Sequence, residues 1–187
     1  SGNTEETLHA VKQAIKQKAV VTAITTGGQL EQLLQSQKAS FIKLPGGNPP
    51  RASVGYSVVS LLFVLYYAQL IDNHFIMELQ EAAKLIKNKQ ENIKNTTQKW
   101  SEQLHNKLPI IYTDTQLEAM GLRWKQQLNE NANMHAFNNT LPEMNHNELV
   151  GWYKKTEHLA AIFLHTPNTF ERTKHRFSIT QQWIKAR

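Results

Sequence analysis

Two side chains in the segment from residue 128 to residue 152 are suited to acid–base chemistry, Glu130 and His146. A carboxylate can take a proton from carbon and return it, and an imidazole changes charge near neutral pH. Asparagines on both sides of Glu130 supply amides that can orient the carboxylate or bind substrate hydroxyls. The segment is polar and has no period of its own, so it is expected on a surface or along a cleft. The residues alone also allow a simpler interpretation, an asparagine-rich capping loop with a surface histidine.

The first seven residues, SGNTEET, have the composition of an anion-binding turn before a helix. A glycine turn at a helix N-terminus presents unpaired backbone N–H groups and the positive end of the helix dipole. The hydroxyls of Ser1, Thr4 and Thr7 add further donors, so the turn could hold a phosphate. The alternative is an ordinary N-cap, in which Glu5 and Glu6 complement the dipole and would repel an anion.

A third candidate is Arg51, which follows the proline-rich segment PGGNPP and precedes a long apolar run. The prolines restrict the approach of the chain and place the guanidinium at the start of the predicted helix. There the guanidinium can stabilise negative charge on an oxygen through charge-assisted hydrogen bonds. A structural arginine paired with a nearby carboxylate is the alternative.

Four motifs, in the same order, resemble the bifunctional phosphoglucose/phosphomannose isomerases, which are built from sugar-isomerase (SIS) domains. They are S-G-N-T-x-E-T, P-R-A-x-x-G-Y, NENA and LPE-x-NHNE-x-VGW, and together they cover most of the chain. The resemblance implies that Ser1 and Thr4 contact the phosphate of the substrate and that Arg51 stabilises an enediolate intermediate. It also implies that Glu130 is the base and that His146 assists ring opening in the site of the neighbouring subunit.

The resemblance implies a cytoplasmic, homodimeric enzyme of carbohydrate metabolism that acts without a cofactor. Its reaction would convert glucose 6-phosphate or mannose 6-phosphate to fructose 6-phosphate through a cis-enediol(ate). The family also has an upstream glycine/serine loop and a lysine near its C-terminus, and neither has a counterpart here. Both SIS-type units are accordingly expected to be incomplete. Two alternatives stay open, a non-catalytic module that binds a sugar phosphate and an inactive fragment. No residue indicates which epimer is preferred.

Composition narrows the possible functions further. There are no cysteines among the 187 residues, which excludes disulfides and thiolate metal sites and favours a reducing cytosol. The net charge is +6, but the lysines are scattered and no basic stripe with interleaved aromatic residues occurs, so nucleic-acid binding is not expected. A mildly basic surface suits anionic sugar phosphates. Histidines and carboxylates lack metal-ligand spacing, so no metal is expected.

Short β-branched runs alternate with helical patterns, which predicts an α/β fold of two SIS-type units with parallel sheets flanked by helices, a three-layer αβα arrangement. Strands are predicted at residues 19–25, 40–44, 109–113 and 159–165. Helices are predicted before residue 18, at 29–37, 54–71, 74–89 and 115–128, near Asn147, and at 169–185. Three parts are predicted along the chain. Residues 1–72 are the C-terminal part of a first SIS domain, 73–106 are a helical connector with a polar patch at 88–98, and 107–187 are the N-terminal part of a second SIS domain. Residues 54–71 are at the lower limit for a membrane span and contain polar side chains, so a soluble helix buried in a core or subunit interface is predicted.

Overall fold

The chain folds into two compact units, Ser1–Gln90 and Glu91–Arg187. The computed structural model describes residues 2–154 and 156–186. Both units contain parallel strands with helices packed on them, which confirms the predicted α/β fold class. The domain boundaries predicted at residues 72 and 106 stay a prediction.

The first unit is built on a two-stranded parallel sheet. Its elements are α1 (Glu5–Lys16), β1 (Thr22–Thr25), α2 (Gly28–Ser36), β2 (Ser40–Lys43), a 3-10 turn (Pro50–Ala52), α3 (Val54–Tyr67) and the start of α4 (His74–Leu104). Strand β1 pairs with β2, with Ile24 opposite Ile42. The core of the unit is formed by Leu8 of α1 with Leu30 and Leu34 of α2, and Ala23 of β1 and Phe41 of β2 pack against them.

Helix α3 begins at Val54 as predicted but ends at Tyr67 rather than at residue 71, and its predicted burial in a core is wrong for this unit. None of its residues is buried, and Leu61 and Tyr67 are 49% and 79% exposed. The helix is apolar on every face, so a small unit can cover only one side of it. That side contributes Phe63 and Tyr66, whose rings contact Phe75 of α4. Burial at a subunit interface stays a prediction. No helix in the described part of the chain is long and apolar enough to cross a membrane.

Helix α4 continues without interruption from His74 to Leu104. It therefore passes through residues 88–98, where the polar composition predicted the connector, and well beyond the helix predicted at 74–89. The helix contains no glycine or proline and is rich in lysine, glutamate and glutamine, which have high helix propensity even when exposed.

The second unit has a three-stranded parallel sheet in the order β4-β3-β5. Its elements are β3 (Leu108–Asp114), a 3-10 turn (Thr115–Leu117), α5 (Glu118–Asn131), β4 (Phe137–Leu141), α6 (Glu143–Asn147), a second 3-10 turn (Leu149–Tyr153), β5 (Leu159–Leu164) and α7 (Glu171–Lys185). The core contains Tyr112, Leu141, Met144, Trp152 and Phe177. The helix-start signal predicted at Asp114 is confirmed, because its Oδ1 accepts a hydrogen bond from the Leu117 N–H at 2.9 Å.

Strand β4 is the element that the sequence did not predict. Its sequence, FNNTL, is polar, yet it pairs with β3 from Ile110 opposite Phe137 to Asp114 opposite Leu141. Ladder hydrogen bonds are made by the main chain, so an edge strand can form without an apolar run. The helix predicted near Asn147 begins earlier, at Glu143, and a 3-10 turn follows it.

Candidate active site

The turn before α1 is bound to the start of α2. Ser1 lies outside the described residues. The carbonyl of Gly2 accepts a hydrogen bond from the Leu30 N–H at 2.8 Å, and Asn3 Oδ1 accepts one from the Gln29 N–H at 2.9 Å. These two protein acceptors satisfy donors that an α-helix leaves open in its first turn. The start of α2 therefore holds in place the turn that leads into α1.

Thr4 is the N-cap residue of α1 and is exposed. Its backbone is extended, with φ −69° and ψ 122°, and its side chain makes no capping hydrogen bond to the helix. Glu5 and Glu6 occupy the first turn and are exposed as well. Thr4 therefore does not cap the helix with its side chain, whereas Glu5 and Glu6 lie where carboxylates complement the helix dipole.

Arg51 lies in the 3-10 turn immediately before α3, at the place predicted for it. Three hydrogen bonds fix this turn: the N–H of Ala52 and the hydroxyl of Ser53 donate to the Pro49 carbonyl at 2.9 and 3.2 Å, and the Ser53 N–H donates to the Pro50 carbonyl at 3.0 Å. The arginine is exposed. A cation is thus presented from a rigid backbone at the start of the apolar helix.

Glu130 is the second-last residue of α5, and it is exposed. The flanking amides do not orient it as the sequence suggested. Asn129 Nδ2 donates to the carbonyl of Met134 at 2.9 Å, and Asn131 Nδ2 donates to Gln127 Oε1. The amides instead fix the end of the helix and the turn that follows it, so the carboxylate projects from a well-defined backbone.

His146 lies on α6, which follows the last residue of β4, and is exposed. The neighbouring Asn145 donates through Nδ2 to Thr180 Oγ1 of α7 at 2.8 Å. Thr180 is buried, so this bond ties the short helix to the interior of the unit.

Glu130 and His146 lie toward opposite ends of the sheet. A Cβ on Gly121, in the first half of α5, would lie 2.7 Å from Thr113 Cγ2, near the carboxyl end of β3. The other end of α5 shares a cavity with Lys107, just before β3 begins. Glu130 is therefore at the amino end of the strands, whereas His146 follows the carboxyl end of β4. Five residues of strand span roughly 17 Å. The chain does not bring these two side chains together within one unit.

A hydrogen-bonded group beside His146 was not predicted from the sequence. Both carboxylate oxygens of Glu148 are occupied, Oε2 by the Tyr112 hydroxyl at 3.0 Å and Oε1 by Asn139 Nδ2 at 2.6 Å. Trp152 Nε1 donates in turn to the Tyr112 hydroxyl at 3.1 Å. Burial raises the pKa of the Tyr112 phenol, the Trp152 hydrogen bond lowers it, and Glu148 raises it further. Asn139 lies opposite Tyr112 in the sheet, so the group could have been predicted only once strand β4 was known.

The four described candidate residues do not all belong to the same unit. Thr4 and Arg51 belong to the first, and Glu130 and His146 belong to the second. Within the described ranges, no group of three or more histidine, aspartate or glutamate side chains is arranged to hold a metal ion.

Residues 93–187, just over half of the chain, match a family described as the bacterial phospho-glucose isomerase C-terminal SIS domain. The chain is 36% identical over 197 residues to a bifunctional phosphoglucose/phosphomannose isomerase of Caldicellulosiruptor bescii, covering 99% of this chain and 58% of that protein. It is 36% identical over 192 residues to an enzyme of the same name from Thermoplasma acidophilum, covering 97% and 56%.

A D-glucosamine-6-phosphate 4-epimerase of Sulfolobus acidocaldarius is 32% identical over 151 residues, covering 80% of this chain and 47% of that protein. The chain thus spans little more than half the length of the curated relatives with which it aligns over nearly all its residues. Among solved structures, a chain assigned as a phosphosugar isomerase from Clostridium difficile 630 superposes with a TM-score of 0.66 at 15% identity. That match covers 97% of this chain and 54% of the other, and it shows the likeness of the fold.

Proposed function

Because the chain belongs to the family of bifunctional phosphoglucose/phosphomannose isomerases, we propose that it contributes to the interconversion of glucose 6-phosphate or mannose 6-phosphate with fructose 6-phosphate. The observation that carries the proposal is the placement of Glu130 and His146. Both residues lie in the region that matches the family, and both are exposed on helix ends that hydrogen bonds hold in place.

Glu130 acts as the base in this proposal. It takes the proton from C2 of the open-chain aldose, which leaves an enediolate across C1 and C2, and it returns the proton to C1. A second proton moves from O2 to O1, so C2 is oxidised while C1 is reduced within the same molecule. No external redox cofactor is needed for this balance. A carboxylate on one face of a cis-enediolate can serve both proton transfers.

Arg51, Ser1 and Thr4 bind negative charge in this proposal. The Arg51 guanidinium, carried on the hydrogen-bonded turn before α3, stabilises the oxygen that becomes charged in the enediolate. Ser1 and Thr4 bind the phosphate together with the N–H groups at the start of α1. The hydrogen bonds from Gln29 and Leu30 hold the turn before α1 in a defined position, which supports its role in binding.

His146 assists ring opening in the site of the neighbouring subunit of a homodimer. The supporting observation is the position of Glu130 and His146 toward opposite ends of the sheet, since roughly 17 Å of strand exceeds the length of a sugar phosphate. An imidazole can move a proton between the ring oxygen and the anomeric hydroxyl at neutral pH. Two copies related by two-fold symmetry would form two equivalent sites, each with a glutamate from one subunit and a histidine from the other.

Mixed dimers test this arrangement. The Glu130→Gln and His146→Ala variants of the protein at its natural length are each expected to be nearly inactive toward fructose 6-phosphate. When the two variants are co-expressed, one site of each mixed dimer carries both substitutions and the other site carries neither. Random pairing should restore about a quarter of wild-type activity.

No restoration in mixed dimers that are shown to have formed would contradict the shared site. A non-catalytic sugar-phosphate-binding module is the second candidate, and it predicts a different result. Such a module would bind fructose 6-phosphate in calorimetry while the wild-type protein showed no conversion in a coupled assay.

A further inference from the structure

The carboxylate of Glu148 joins three segments of the second unit. It accepts hydrogen bonds from Tyr112 of β3 and Asn139 of β4, which lie opposite each other in the sheet. Glu148 itself directly follows α6, the helix that carries His146. Glu148 is half-buried, and Tyr112 is fully buried. A carboxylate in this setting is tolerated because each of its two oxygens accepts a hydrogen bond.

The direction of each hydrogen bond in the group is fixed. Trp152 Nε1 can only donate, so the Tyr112 hydroxyl accepts from it and donates its own proton to Glu148. Asn139 Oδ1 accepts from the Thr140 N–H at 2.8 Å, which turns Nδ2 toward Glu148. Position 148 must therefore offer two acceptor oxygens, which the side chain of glutamate has and that of glutamine does not.

Helix α6 depends on such anchors for its position. It has five residues, too few for independent helical stability. Asn145, the residue before His146, bonds to Thr180 of α7, and Glu148, two residues after His146, bonds to β3 and β4. The histidine is thus held from both sides by buried partners, while its own side chain is exposed.

We propose that Glu148 is a positioning residue for His146, acting through its paired hydrogen bonds to Tyr112 and Asn139. This inference rests on the proposed function for its catalytic consequence, but its structural part stands independently. Glu148 does not contact the substrate in this account. It fixes the short helix so that the imidazole reaches the ring oxygen of the sugar.

Exchanging the carboxylate of Glu148 and the amide of Asn139 tests the hydrogen bond between these two side chains. In Glu148→Gln, the amide NH₂ faces either Asn139 Nδ2 or the Tyr112 hydroxyl, so one donor loses its acceptor. In Asn139→Asp, two carboxylates face each other. The double variant carries an amide at 148 and a carboxylate at 139, which restores every donor–acceptor pair with the same net charge and side-chain lengths.

The expected changes in Tm are specific to the pair Glu148 and Asn139. Each single variant should lower the Tm by about 5 °C or more, and the double variant should recover most of that loss. The matched control is Glu143→Gln, on the same helix, where the carboxylate accepts from Asn147 at 2.8 Å in an exposed position. An exposed amide can rotate and keep this bond, so the control should leave the Tm unchanged.

Kinetics separate positioning from general stability. Displacing a catalytic group by ~1 Å can cost about a hundredfold in rate. In the protein at its natural length, Glu148→Gln should reduce kcat for fructose 6-phosphate roughly ten- to hundredfold with little change in KM. The same variant should convert a 5-deoxy analogue, which cannot close its ring, at nearly the wild-type rate, and the double variant should recover with the natural substrate.

Equal losses with both substrates would contradict the positioning role, and so would a double variant no better than the singles. The Tm comparison does not depend on any activity. If the wild-type protein showed no isomerase activity, the proposed function would fail. The Tm values of the single and double variants would still test the anchoring of α6. Recovery of the Tm without recovery of the natural-substrate rate would overturn the link to His146.

Discussion

A Cβ added to Gly2 would lie 1.6 Å from the carbonyl oxygen of Gly27. The turn before α1 therefore packs backbone to backbone on the turn that follows β1. This contact, with the hydrogen bonds from Gln29 and Leu30, sets the position of the proposed phosphate-binding turn. Any side chain at position 2 would separate the two turns.

The first prediction follows from this contact. Gly2→Ala should reduce the free energy of unfolding by about 1–3 kcal/mol, because the new methyl group cannot be accommodated without moving backbone. Gly46→Ala is the matched control, since nothing lies within 4 Å of a Cβ built there. Urea denaturation of both variants measures the difference. Equal stability of the two variants would contradict the close approach.

The second prediction concerns the packing of α5, the helix that carries Glu130. A Cβ on Gly121 would lie 2.7 Å from Thr113 Cγ2. Gly121→Ala should destabilise the unit by about 1–3 kcal/mol despite the higher helix propensity of alanine. Adding Thr113→Ser removes the opposing methyl group and should recover part of the loss. A double variant as unstable as Gly121→Ala alone, in the same denaturation experiment, would count against this contact.

The third prediction is a dependence of stability on alkaline pH. The folded state raises the pKa of Tyr112 above its ordinary value near 10, chiefly because the phenol is buried. Above pH 10 the unfolded chain loses this proton while the folded chain keeps it, so stability falls by up to about 1.4 kcal/mol per pH unit. Below pH 10 the contribution of the phenol is fully present.

Tyr112→Phe isolates that contribution from other ionisations. Phenylalanine leaves Trp152 Nε1 and one Glu148 oxygen without this partner, so the variant should be less stable at neutral pH by about 1–3 kcal/mol. The difference from wild type should shrink between pH 9.5 and about pH 11, because only the wild type carries the tyrosine. Free energies of unfolding of the wild type and Tyr112→Phe, measured across this pH range, test whether the difference shrinks. A difference that stays constant would mean that the phenol titrates equally in both states.

Hydrophobic runs made β1, β2, β3 and β5 predictable, but the length of β1 was not. PIIYT and LAAIFLH correspond to β3 and β5 within one residue at each end. Strand β1 begins at Thr22 rather than residue 19, and Val20 is fully exposed. Pairing explains the shorter strand, because its partner β2 offers only four residues.

The polar segment was harder to predict because its order comes from contacts distant in sequence. The asparagines around Glu130 suggest groups that orient a carboxylate, whereas Asn129 closes the turn to Met134. Asn139 and Glu148 have no pattern of their own, and their roles follow from the position of Tyr112 in the neighbouring strand. Sequence motifs identified Glu130 and His146 as candidates, but only the topology separates them to opposite ends of the sheet.

Transfer of a proton by Glu130 is the central claim, and hydrogen exchange with solvent measures it most directly. The wild-type protein at its natural length is incubated with fructose 6-phosphate in D₂O, and deuterium is followed at C1 of the ketose and C2 of the aldose by NMR. Glu130→Gln should lose both exchange and isomerisation by about 10²–10⁴-fold, because an amide cannot accept the proton. Glu118→Gln, an exposed glutamate at the other end of the same helix, is the control and should behave as wild type.

Calorimetry completes the measurement by showing that Glu130→Gln still binds fructose 6-phosphate. The amide keeps the size and hydrogen-bonding capacity of the carboxylate, so the affinity should change by no more than about threefold. Lost exchange with retained binding is the expected result for Glu130→Gln. Deuterium incorporation by Glu130→Gln at close to the wild-type rate would contradict it.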